Sequence, residues 1–280
     1  MISPWINRRR QAIELVVNLA LLVGVLLVMA PFVWMVSASL QPDGAATTVP
    51  PVFFPTHPTL DQYRRLFERL DFLTHLGNSL LVASLVTIGS LVVNSMAAFA
   101  FAKYRFKGRD SLFALLLSLL IVPGQVTMFP VFLLMNKLHM INHFSGLIIP
   151  GLSSIFAIFL FRQFMTEIPD ALIEAARLDG CSDFAIYWRI MMPLCKPILV
   201  TLALFTFMGT WNDFMWPLVV MTDSSGYTLP VALANLIGEH QGDTELMMAG
   251  AVLTTLPIMI LFLLLQKYYI RGIMAGGVKG

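Results

Sequence analysis

The chain is predicted to be all-α and polytopic, with six helices crossing a bilayer, and three observations predict it. Of its 280 residues 58% are hydrophobic and only 12% charged, a composition outside that of ordinary soluble domains. Six apolar runs are long enough, at ~1.5 Å rise per residue, to cross or nearly cross ~30 Å of hydrocarbon. Lys and Arg collect on alternate connections between those runs, as they do on the cytoplasmic side of membrane proteins.

Taken in order, the runs are approximately Leu15 to Val36, Leu80 to Ala102, Ser111 to Met135, Gly146 to Phe161, Ile198 to Thr222 and Leu246 to Leu265. The fourth is short and contains Pro150-Gly151, so a broken or tilted span is expected there. Fourteen basic residues flank one side: Arg8 to Arg10, the segment Lys103 to Arg109, the segment Arg162 to Lys196, and Lys267, Arg271 and Lys279. Four, Arg64, Arg65, Arg69 and Lys137, lie on the other. Both termini are therefore expected in the cytoplasm. The organisation that follows is a cytoplasmic amino terminus with the first span (1–37), an extracytoplasmic loop (38–78), a five-helix core (79–266) carrying a cytoplasmic loop at 163–197, and a cytoplasmic tail (267–280). The arginine triplet before the first run also has the form of a signal peptide, but the run is too long and five further spans follow.

Outside the spans, Gln41 to Asn78 opens with a Pro-rich stretch and continues into an expected helix, with Thr59 and Gln62 at capping-box spacing and Leu60, Tyr63, Phe67 and Leu70 on one face. That helix could rest an external protein or lie along the membrane surface. His139 and His143 lack carboxylate or Cys partners and read as surface residues, and no metal site is expected. Cys181 and Cys195 match neither zinc nor redox spacing, and read as quiet core thiols. The net charge of +2 is spread along membrane edges, so no nucleic-acid partner is expected.

The polar segment between the fourth and fifth runs carries the sharpest local signal. Pro169 suits the first turn of a helix, and Asp170 places negative charge at the positive end of its dipole. Ala171 to Asp179 are mostly good helix formers, and Gly180 supplies a left-handed terminator. Ser182 can cap a second segment, Asp183 to Met192, which Pro193 ends. Small Ala175 and Ala176 would let a partner surface approach, and Glu174 and Arg177 have the spacing to pair on the helix or across the joint.

Catalytic signatures are absent: there is no phosphate-binding G-x-x-x-x-G-K-[ST] loop, no H-E-x-x-H and no G-x-S-x-G. No catalytic residue and no cofactor are expected in this chain. Polar residues inside spans usually face a bundle interior or a watery cavity. Measured along straight helices, Gln125 and Asp213 would share a depth in the outer half of the bilayer, about 21 and 22 Å along their spans. Trp211, Asn212 and Trp216 accompany Asp213, and Asn94 lies deeper. Aromatic faces beside amide and carboxylate acceptors suit a polyol. The same residues also suit an interfacial aromatic belt, a helix break capped by Asp213, and interhelical glue at Asn94.

Glu174-Ala175-Ala176, with Asp179-Gly180, Ile190 and Pro193, resembles the EAA loop by which permeases of bacterial ATP-binding-cassette importers dock into a separate ATPase. Met192 stands where that pattern usually has Leu. Pro123-Gly124-Gln125-Val126-Thr127, Trp211-Asn212-Asp213-Phe214, Thr228-Leu229-Pro230-Val231 and Gly276-Gly277-Val278-Lys279-Gly280 extend the likeness from about Pro58 to the end. Together they look like the carbohydrate-uptake subclass of type I importers, and in particular the second permease of maltose-type systems. The resemblance implies the type I permease fold, a bacterial inner-membrane location, a second permease, two ATPase subunits holding ATP and magnesium, and an extracytoplasmic solute-binding protein. It implies ATPase coupling through Glu174, Ala175, Ala176, Arg177, Asp179 and Gly180, and contact of Gly277, Val278 and Lys279 with the ATPase, where a frayed terminus is the alternative. The solute is expected to be a sugar or oligosaccharide. Glycerol 3-phosphate or a glycerophosphodiester is the alternative within the same class, and the spans contain no Lys or Arg to favour it. An ion-coupled carrier would be expected to bury several carboxylates, and here the spans offer essentially Asp213.

Overall fold

The computed structural model describes residues 4–48, 52–239 and 243–277, which form helices and connecting turns without a strand among them. Two compact units emerge from the pattern of contacts: Met1–Leu70 with Asn235–Thr255, and Asp71–Ala234 with Leu256–Gly280. Segment 235–255 thus groups with the first span, whereas the boundaries read from hydropathy place it in the core.

In the first unit, α1 (Pro4–Ser39) exposes nearly every apolar side chain from Ile13 to Val33, as a helix facing lipid does. Polar contacts crowd its end. Ser39 meets the Tyr63 hydroxyl at 2.8 Å, Gln41 donates to the Val52 carbonyl, and the Leu40 carbonyl accepts from the Thr59 amide at 2.8 Å. Buried Glu245 accepts from the Ala46 amide at 2.7 Å.

The outer helix α2 (Asp61–Arg69) exists, but its buried face differs from expectation. Gln62, Leu66 and Leu70 are buried, whereas Leu60 and Phe67 are exposed. Thr59 Oγ1 does accept from the Asp61 amide, but Gln62 does not complete a capping box. Its amide instead donates to the Gln41 carbonyl and to Asp43 at 2.7 Å. The reason is local satisfaction: the Pro-rich loop folds back and offers Gln62 acceptors that a helix end in water would lack. Arg65, with Gln62 next in weight, holds the Asp43 carboxyl below its ordinary range.

The second unit is built around α3 (Phe72–Lys103), a continuous span of 32 residues. Against it pack α7 (Ile155–Thr166) and α11 (Lys196–Trp211). The third apolar run is not one straight helix. α4 (Arg109–Ser118) ends in a tight turn through Ile121, and α5 (Gly124–Lys137) departs at 105°. Pro123 causes the break, since it lacks an N–H and holds Val122 in extended backbone. Depth along a straight helix therefore does not extend to Gln125.

The fourth run is interrupted where Pro150-Gly151 predicts it. α6 (Phe144–Gly151) and α7 are separated at 152–154, although 144–166 still has the length and hydropathy of a span. Gly146 has no room for a side chain, because a Cβ there would collide with the Met140 carbonyl. The remaining helices are α8 (Asp170–Leu178), α9 (Asp183–Ile186), α10 (Met192–Leu194), α12 (Met215–Val220), α13 (Leu229–Glu239) and α14 (Thr244–Gly277). Among the described residues, four helices have the length and composition to cross a membrane, or up to six if each of two bent pairs is one span.

Candidate coupling site

α8 ends as its sequence requires. Gly180 adopts φ +81°, the Cys181 amide donates to the Ala176 carbonyl at 2.9 Å and the Gly180 amide to Arg177 at 3.0 Å. These are the two reversed bonds of a Schellman terminus, and a side chain at Gly180 would be strained by φ alone because no atom crowds it. Ser182 then caps α9, accepting from the Ala185 amide. A wide π-helical turn, Tyr187–Met191, follows, and α10 meets α11 at Cys195 with a bend of 81°.

The loop is bonded onto the bundle. Ile173 and Ala176 point inward and join a core containing Phe99, Phe161, Met165, Ile186, Tyr187, Met191 and Leu202. The Tyr187 hydroxyl meets Ser95 of α3 at 2.6 Å, and its ring packs 5.6 Å from that of Phe99. Lys103, its side chain only 2% exposed, bridges to Asp170 at 2.6 Å and also donates to the Ile168 carbonyl. Lys103 holds the Asp170 carboxyl below its ordinary range. Arg177 pairs with Asp183 at 3.1 Å and lies over the Tyr104 ring, so it closes α8 onto α9.

These contacts sort the expected coupling residues. Glu174, Ala175, Arg177, Asp179 and Gly180 are exposed, but Ala176 is buried at 7% and packs on its own bundle. Only Ala175 of the two alanines offers a smooth outward surface. Glu174 has no intrachain bond among the described residues, its expected pairing being taken by Arg177 with Asp183. Around it the loop exposes Leu172, Leu178 at 89%, Phe184 at 65% and Trp188. Sequence reasoning missed this apolar crown; Leu178, Phe184 and Trp188 lie on either side of a turn and share no single helical period.

The residues considered for the solute path fall in three places. Asn94, fully buried, donates to the Leu152 carbonyl at 3.1 Å and to Ser90, and accepts from the Ser154 amide at 3.0 Å, bracketing α3 to the break before α7. Trp211 is buried and stacks on Phe207 at 5.8 Å; Asn212 donates to the Met208 carbonyl; Asp213 accepts from the Trp216 amide; and Trp216 Nε1 donates to the Gly146 carbonyl at 3.0 Å. Gln125 is exposed at the start of α5, beyond the bend. The structure also forms a recess of about 260 Å³ lined by Ser90, Ser154, Thr206, Thr210 and apolar side chains, with no charged group. The sequence does not reveal it, because its hydroxyls come from three separate segments. In the tail, Gly277 ends α14, while Val278 and Lys279 lie outside the described residues.

Residues 92–274 match the family model described as "Binding-protein-dependent transport system inner membrane component". The chain is 39% identical over 230 residues to the arabinooligosaccharides transport system permease protein AraQ of Halalkalibacterium halodurans, covering 82% of each chain. It is 31% identical to the sn-glycerol-3-phosphate transport system permease protein UgpE of Yersinia enterocolitica, covering 94% of this chain and 97% of the relative. A bacterial ABC transporter chain involved in import of the acidic polysaccharide alginate superposes with a TM-score of 0.80 at 26% identity, covering 93% of this chain and 98% of that one. With the matched segment spanning the bundle and its bonded loop, the chain belongs to the binding-protein-dependent transport system inner membrane component family, the membrane-spanning permeases of ABC importers.

Proposed function

We propose that this permease carries a neutral oligosaccharide inward, with α8 to α10 seated in a separate ATPase on the cytoplasmic side. The observation that supports it most is the coupling loop itself: bonded to α3 on its inner face, it keeps Glu174 and an apolar crown outward. A second permease, two ATPase subunits that bind ATP and magnesium, and an extracytoplasmic solute-binding protein complete the assembly. The chain itself is not an enzyme and needs no cofactor. Both termini face the cytoplasm, and contact of Gly277, Val278 and Lys279 with the ATPase belongs to the same proposal.

Closure of the ATPases on ATP would carry the loop with them and tilt the attached helices, opening the bundle outward; hydrolysis would return it. Such coupling requires contacts that differ between the two states. The uncharged recess beside Ser90, Ser154, Thr206 and Thr210 favours hydroxyl-bearing cargo over phosphate. The AraQ relative, named for arabinooligosaccharides, points the same way, while the UgpE relative keeps glycerol 3-phosphate as the second reading. The test is ATP hydrolysis by the reconstituted assembly with its binding protein, challenged with neutral oligosaccharides, acidic oligosaccharides and glycerol 3-phosphate. Stimulation by a neutral oligosaccharide is expected. Stimulation confined to glycerol 3-phosphate would replace the cargo assignment, and hydrolysis indifferent to every solute would overturn the reading.

A further inference from the structure

The turn 104–108, between α3 and α4, frames a cavity of about 550 Å³ lined by Lys103, Arg105, Phe106, Arg109, Asp110 and Asp170 among others. Both acids on its wall are already committed, Asp170 to Lys103 at 2.6 Å and Asp110 to Arg109 at 2.9 Å. Arg105, and Lys107 in the same turn, are exposed and form no ion pair among the described residues. The cavity therefore keeps an excess of positive charge. Phe106 lies between those two cations in sequence and is 43% exposed, an apolar ring that water does not favour. The whole turn sits at the ends of two apolar helices, where hydrocarbon gives way to headgroups.

We propose that this cavity binds the phosphate of an anionic phospholipid, with Arg105 on its wall and Lys107 beside it in the same exposed turn supplying the charge, and Phe106 resting against the acyl chains. The shared chemistry is a phosphate oxyanion, and the exposed apolar ring selects a lipid over free phosphate. The proposal rests on the reading that this turn faces the cytoplasm, where the leaflet is anionic and basic pockets at helix ends take up such headgroups. Because Asp170 begins α8, the lipid lies against the root of the coupling loop. Its phosphate would compete with Asp170 for Lys103, so bilayer composition would tune how firmly that root is held.

The assembled importer, in nanodiscs of phosphatidylcholine with or without phosphatidylglycerol, tests this by native mass spectrometry of retained lipid. Retained phosphatidylglycerol should exceed phosphatidylcholine about tenfold, and Arg105→Gln with Lys107→Gln should bring the ratio near one. Equal retention by the unmodified protein, or an undiminished preference in the double variant, overturns the proposal. So does protection of the turn by inorganic phosphate in phosphatidylcholine discs without enrichment of phosphatidylglycerol, which would assign the site to the free ion. Cross-linking of Lys107→Cys to the ATPase subunit would likewise replace the lipid with a protein partner. Labelling Lys107→Cys, in a Cys181→Ser background, with an impermeant maleimide reads orientation separately: reaction in inside-out vesicles but not in right-side-out ones upholds the cytoplasmic placement whatever the lipid result.

Discussion

Asn94 and Asp170 do their work through bonds to other segments. Asn94 ties α3 to Leu152 and Ser154, and its removal would leave a partly buried carbonyl and amide without this partner. Asn94→Ala is expected to cost about 2 kcal/mol. Thermal unfolding of the detergent-solubilised protein should then fall by roughly 5 °C, a shift that scanning fluorimetry resolves. Asp170 gives a pH signature. Its carboxyl is lowered by Lys103, so the stabilisation is complete above the ordinary carboxylate value of about 3.9 and is lost as pH falls through the lowered one. With the carboxylate 73% exposed, the bond is screened and modest. Amide exchange across 170–178, corrected for intrinsic rates, should be flat from pH 8 to pH 5 and quicken only in stronger acid. Residue identity announced some of this: Asp170 opens α8, Gly180 ends it and Ser182 caps α9 as their chemistry prescribes, while Pro169 stands just before the helix rather than in its first turn. It did not announce Asn94's partners or the inward turn of Ala176, because both depend on which distant segment arrives.

At the level of elements, the spans were legible from apolar length and the interruption of the fourth run from Pro150-Gly151, whereas the third run was measured as straight although Pro123 stands within it. The size of the bend between α4 and α5 was not legible, since proline removes a bond without setting an angle. Nor was the buried face of α2, where Gln62 proved more deeply placed than Phe67 because the returning loop supplies acceptors. The π turn at Tyr187–Met191 fastens the loop to α3 alongside the Lys103–Asp170 bridge. Tyr187→Phe removes one hydroxyl contact while Ser95 keeps its bonds within α3, and should leave more than half of transport intact. Tyr187→Ala would hollow a core shared with Phe99, at roughly 3 kcal/mol or more. Its amides at 170–192 should exchange faster and uptake should collapse; normal uptake by the alanine variant would mean the attachment is not needed for coupling.

For the whole molecule, the loop matters only if force crosses it. Glu174→Lys with Asp179→Lys reverses two exposed charges on the outward face without touching the inward core. Uptake should fall by at least tenfold while the protein still inserts and its thermal unfolding is unchanged, measured by solute accumulation in cells and by fluorimetry. Unimpaired solute-stimulated hydrolysis would show that the ATPase grips elsewhere. α3 adds a mechanical consequence. Near its start, His75 and Asn78 hold the Tyr227 carbonyl and Ser79 the Leu229 amide; near its end, Ser95 and Lys103 hold the coupling loop. A helix of this length, about 48 Å, is stiff along its axis. It is a pushrod pinned at both ends, so a shove given to the loop must reappear as displacement of the 222–229 segment at its other end, and wedging that segment still should jam the stroke.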